Sequence, residues 1–173
     1  MENANAESSE LDAAPVFRPM RRAEQQTTQE EVAALLASSR RGALATIGDF
    51  GYPYAIPINF VYDADANRIY FHCAKSGHKR DAVSKCDKVC FTVWSDGEKR
   101  DGEWFYRVES AVVFGRAEIV SDESTKLRVL RALAAKYYPS SVDVEETIRR
   151  HGARAETIAV RIESMTGKRV CEK

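Results

Sequence analysis

Apolar and polar positions along this chain follow two periods, and the switches between them mark its elements. Thr28-Gln29-Glu30-Glu31 fits a capping box, and Val32, Leu35 and Leu36 follow at helical spacing, which predicts a short helix over residues 29–38. Its expected job is to plug one end of a sheet. Ala43 to Ile47 reads as a strand, Asp49-Phe50-Gly51 as a turn and Tyr54 to Tyr62 as a second strand, the two strands forming a hairpin. Proline has no N–H to give a ladder, so Pro57 inside that second run belongs at a sheet edge or a bulge. A polar turn over 63–67 leads into a third strand, Arg68 to Cys73, followed by a helix from Gly77 to Lys85 with Ser76 as its expected N-cap.

The same pattern continues to the C-terminus. Val89 to Trp94 is a fourth strand, and Trp104 to Val120 is long enough for one bent strand or two, with Gly115 marking a bulge or barrel corner. Asp122 to Tyr138 carries Leu127, Leu130, Leu133, Ala134 and Tyr137 at helical spacing and stops at Pro139; Val144 to His151 reads as a shorter helix. Thr157 to Ile162 alternates as a last strand, and Gly167 is expected to turn the chain. Strands joined mostly by turns favour an antiparallel sheet over βαβ winding. The predicted class is mainly β: a closed or split β-barrel of about six or seven strands with peripheral helices.

Composition narrows the partners. A chain of 173 residues, 44% hydrophobic and 30% charged, is expected to form one domain over residues 20–173, with residues 1–19 an acidic, disordered tail. Lys plus Arg and Asp plus Glu both number 26, so no global field draws the protein to nucleic acid or an anionic membrane. Any cationic site must be local. The start has neither the basic region nor the apolar core of a signal peptide, no run reaches the roughly 18 apolar residues of a membrane span, and Cys73, Cys86, Cys90 and Cys171 include no CxxC pair. Reduced thiols and a cytoplasmic location are the expectation.

The local cationic site is the segment from Tyr70 to Arg80, where a strand runs abruptly into a helix start carrying Lys75, His78, Lys79 and Arg80. Like charges at the positive end of a helix dipole repel one another unless an anion joins them, which points to a phosphate. The period of two puts Ile69, Phe71 and Cys73 toward the core, and Tyr70 and His72 on the other face, where they need cover from another element, a ligand or a second subunit. A metal site from His72, Cys73, His78, Cys86 and Cys90 fails on geometry, because His72 and Cys73 point to opposite faces and Cys86-x₃-Cys90 lacks finger spacing. No Gly-x-Ser-x-Gly elbow supports serine hydrolysis. Trp94, Trp104, Phe105 and Tyr106 suit core or dimer contacts, or stacking on a flat ring.

Met20-Arg21-Arg22, the run from Gly51 to Phe60, and Tyr70-Phe71-His72-Cys73-Ala74 with Gly77 and Lys79 together resemble the nitroimidazole-resistance family. That family belongs to the pyridoxamine 5′-phosphate oxidase-like, FMN-binding split β-barrel proteins. Ser110, Phe114-Gly115-Arg116-Ala117 and Thr166-Gly167-Lys168 also fit its pattern. The resemblance implies a homodimer with FMN in clefts between subunits. Ile56, Pro57, Ile58 and Asn59 would line the ring system, with His72, Cys73 and Ala74 beside it, His78 and Lys79 on the phosphate, and Ser110 also at the cofactor. His78 stands where the wider family has arginine, which implies a pH-sensitive phosphate grip. His72 is the candidate for substrate contact or proton donation. The implied activity is FMN-dependent reduction of small nitroaromatic or quinone-like acceptors; the alternative is a non-catalytic binder of flavin, haem or deazaflavin on the same fold. The C-terminal residues by which true pyridoxamine phosphate oxidases hold their substrate are not recognisable here.

Overall fold

A two-residue link decides how this sheet curves. In the computed structural model, which describes residues 16–172, the first helix α1 (Gln29–Ser38) precedes strands β1 (Gly42–Ile47), β2 (Pro53–Ile58), β3 (Val61–Asp63) and β4 (Arg68–Ala74). Helix α2 (His78–Lys85), strands β5 (Lys88–Trp94) and β6 (Tyr106–Ile119), helices α3 (Glu123–Tyr137) and α4 (Val144–His151), and strand β7 (Ala155–Glu172) follow. All neighbouring strands pair antiparallel in the order β2-β1-β5-β6-β7-β4-β3. Strands β2 and β3 thus occupy opposite edges, yet only Asn59 and Phe60 separate them in sequence. Three peptide steps reach at most about 11 Å. The sheet must therefore curl until its edges nearly meet, without a ladder to seal them: a split barrel, with the split at Asn59.

The core fills the inside of that curl. Leu44, Phe60, Ile69, Phe71, Phe91, Val93, Val113, Ile158 and Val160 are fully buried, and the Phe60 and Phe91 rings meet edge-on at 4.7 Å. Helix α1 plugs one end with Val32 and Leu36, and its capping box is complete: Glu31 N–H donates to the Thr28 hydroxyl and Thr28 N–H to the Glu31 carboxylate. Helix α3 lies on the outside, where Val129 and Leu133 cover Tyr70 and Ala159. Pro57 sits on edge strand β2, and the ladder between β6 and β7 shifts register between Phe114 and Gly115, as the proline and glycine signals predict.

Three local expectations need correction. The strand predicted from Tyr54 to Tyr62 breaks at Asn59–Phe60, because the chain changes sheet edge there. Ser76 is not the cap of α2; Gly77 is, at a φ of 122° that favours glycine, and no side chain caps the helix. Gly167 does not turn the chain. Strand β7 runs straight through it, and a Cβ there would stand 2.1 Å from Thr27 Oγ1 and 2.5 Å from Val32 Cγ2, so the missing side chain lets the segment before α1 cross the sheet. The tail expected over residues 1–19 lies, as far as residue 15, outside the described residues.

Candidate functional site

Two hollows meet where the barrel splits, and Asn59 and His72 belong to both. The more open one is a cleft of about 390 Å³ lined by Arg41, Pro57, Ile58, Asn59, His72 and Lys79. No carboxylate lines it. Among the described residues neither Arg41 nor Lys79 enters a salt bridge, whereas Arg80 donates to Glu156 at 3.2 Å and Lys85 to Asp49 at 3.0 Å. Lys79 Nζ stands 5.6 Å over the centre of the Phe71 ring. Because no side chain caps α2, its first N–H groups have neither an intrahelical nor a capping partner, and Lys79 stands in that turn. The cleft is therefore a place where a bound anion removes electrostatic strain.

His72 lines both hollows. Its neighbour on the same strand face, Tyr70, is covered by α3, whereas His72 lies beyond that cover and opens into both hollows. The surrounding walls desolvate the imidazole even though one side of it is open, and Lys79 adds a like charge; both push its pKa below the ordinary 6.5. Near neutrality it is an uncharged ring with one donor and one acceptor nitrogen.

The geometry of the split is held by a residue the sequence pattern marks only as part of an apolar stripe. Tyr137, on α3, accepts the Phe60 N–H at 3.0 Å, and its own proton lies between the carbonyl oxygens of Phe60, at 2.9 Å, and Arg40. Burial raises its pKa, so the phenol stays protonated. One hydroxyl thus ties α3, the β2–β3 link and the chain entering β1, and fixes Asn59 and Arg41 on either side of it. Arg41 too escapes the sequence pattern; its only signal is a cation placed just ahead of a buried strand.

The other sequence-predicted residues disperse. Ile58 lines the cleft, while Ile56 packs against the core. Cys73 points inward among core residues, where burial raises its thiol pKa; Ala74 ends β4 opposite Ala155. His78 is not in the cleft lining. Its ring stacks on Tyr54 at 4.0 Å, and its Nε2 lies 3.8 Å from Asp49, at the β1–β2 hairpin.

A model of the pyridoxamine 5′-phosphate oxidase family matches residues 28–169. The chain belongs to this family. Among solved structures it is similar to a conserved hypothetical protein of Mycobacterium tuberculosis, at TM-score 0.71, 21% identity, and 87% and 90% coverage of the two chains. It is also similar to a protein provisionally named for 5-nitroimidazole antibiotic resistance from Bacteroides thetaiotaomicron (0.69; 21%; 84% and 86%). A third is a FAD-binding protein of Mesorhizobium loti (0.65; 21%; 84% and 97%). These likenesses show a shared fold. No curated protein matches the chain.

One more surface of this pyridoxamine 5′-phosphate oxidase family member bears on the site. The outer face of β2, β1, β5 and β6 carries Pro57, Ala55, Ala43, Ala45, Ile47, Thr92, Trp94, Val112 and Phe114 in register, with scarcely a charge, and Trp94 is 56% exposed. Phe17 stacks on Phe114 at 5.5 Å, at one margin of this face. Ser110 lies here, opposite Trp94 and Lys168, and not in the cleft of its own chain. No helix of the described residues is long and apolar enough to cross a membrane.

Proposed function

We propose that this protein binds a flavin, FMN, in the cationic cleft at the barrel split, and acts as an oxidoreductase that delivers reducing equivalents to small nitroaromatic or quinone-like acceptors. The observation that carries the reading is the cleft itself. It sets two cations that enter no salt bridge among the described residues, one of them in the first turn of an uncapped helix, in one lining with Pro57, Ile58 and Asn59, which suits a phosphate tail attached to a planar ring. Lys79 and the first N–H groups of α2 hold the phosphate, and Arg41 adds a second positive charge. His78 reaches that phosphate only by leaving the Tyr54 ring. A bound flavin supplies the hydride chemistry, and the protein supplies orientation, electrostatics and access. His72, neutral near pH 7, holds or donates a proton at a ring nitrogen beside the acceptor.

The same reading makes the protein a homodimer. The charge-poor outer sheet face suits a second copy, and Ser110 meets a flavin only if it is supplied from that copy to a cleft it does not line at home. The test is direct. Purified protein is expected to be yellow and to release FMN, separable from FAD, on denaturation; reduced nicotinamide should then drive turnover of a nitroimidazole and quinone panel. Colourless protein that takes up no added FMN or FAD overturns the reading, and a Soret band in place of flavin bands assigns the cleft to haem.

A further inference from the structure

The second hollow lies behind His72, between α3, α4 and the outer face of β4. It has a volume of about 140 Å³; Leu130, Leu133, Val144 and Ile148 give it apolar walls, Thr147 and His151 add polar groups from α4, and His72 and Asn59 line it together with the cleft. Helix α4 explains why the space persists. Its N-cap Asp143 and its charged residues Glu145, Glu146, Arg149 and Arg150 define a polar face, yet none of its residues is fully buried. Val144 and Ile148, its apolar positions, are only half-buried because they face a void. Gly152 keeps that void open at the end of α4: a Cβ there would come 3.2 Å from Ile148 Cγ2 and 3.9 Å from Leu130 Cδ1. Apolar voids forfeit packing energy, and one of about 150 Å³ is the size that accepts benzene.

We infer that this pocket is the seat of the acceptor: a single five- or six-membered ring, held by the α3–α4 wall, with its nitro or carbonyl oxygen directed at His72 and Asn59. The chemistry of the assignment rests on the flavin reading above. The apolar walls take the ring face, hydrogen bonds come from the His72 imidazole and the Asn59 amide, and those two residues also line the cleft. The volume matches one ring. A second fused ring must displace α4 or project past Asn59 and His72 toward the cleft, so the pocket favours the single ring by size as well as by polarity.

Methyl-labelled protein, prepared without added flavin and again with FMN, is titrated with 2-methyl-5-nitroimidazole and with 1,4-naphthoquinone, and the methyl resonances of Leu130, Leu133, Val144 and Ile148 are followed. The expected result is saturable shifts of these four for the single ring, and binding of the fused ring weaker by at least about tenfold. Ile148→Phe, which fills the pocket, should weaken the single ring by at least about tenfold. Leu130→Ala, which enlarges it, should gain binding of the fused ring, an outcome that misfolding does not produce. Absence of methyl shifts with FMN demonstrably bound overturns the pocket and leaves the flavin reading standing. Methyl shifts in protein that never binds FMN uphold the pocket and remove the flavin reading. Equal affinity for both probes in all three proteins overturns the size preference and the assignment with it.

Discussion

Lys79 and His72 share one cleft, and the cation bears on the imidazole's chemistry. Walls and cation together lower the His72 pKa, so an NMR titration should place its midpoint below 6.5, and Lys79→Ala should move it upward. The effect on stability has a definite sign. A depressed imidazole pKa means that the unfolded chain binds the proton more readily, so His72 contributes nothing above the unfolded value of about 6.5 and becomes destabilising as pH falls through it toward the folded value. Bound phosphate should raise the same midpoint by neutralising Lys79. Lys79→Ala is expected to weaken FMN binding by at least about tenfold, or ~1.4 kcal/mol, in a fluorescence titration; unchanged affinity would show that the phosphate lies elsewhere.

The β2–β3 link gains its shape from an element that lies outside the sheet. Removing the Tyr137 hydroxyl leaves the Phe60 N–H without its partner, and Tyr137→Phe should cost about 1 to 3 kcal/mol in urea denaturation while loosening FMN binding. A variant as stable as the parent would mean that α3 does not hold the split. Gly167 tests a different contact. Since a Cβ there collides with Thr27 and Val32, Gly167→Ala should destabilise by about 1 to 3 kcal/mol, the cost of overpacking. Thr27→Ala, which removes the nearest colliding atom, should relieve part of that cost if the contact is the cause.

At the scale of the whole molecule, the barrel presents one charge-poor outer face, which the proposed dimer would cover. Trp94→Glu places a carboxylate on that face at the end of β5, and light scattering should report a shift from the proposed dimer to monomer with loss of bound flavin. If the variant remains a dimer and keeps its cofactor, the second copy docks elsewhere. The cationic cleft and the apolar pocket share Asn59 and His72 in their linings, so changes in either should couple to the other through those two residues.

Much of this molecule is legible in its amino-acid sequence. Local signals suffice for α1 with its capping box, for the alternation of Ile69, Phe71 and Cys73 inward against Tyr70 and His72 outward, for the bulge at Gly115 and for Pro57 at an edge, because each depends on neighbours within a few residues. The family pattern is legible too, and with it the split barrel. What sequence alone does not decide depends on contacts between distant segments. Arg41 becomes part of the cleft only because the sheet curls, Tyr137 becomes a staple only because α3 crosses the β2–β3 link, and His78 turns to Tyr54 and Asp49 because the hairpin folds beside α2. Periodicity assigns a side chain to a face, but which segment meets that face is set by the closure of the fold.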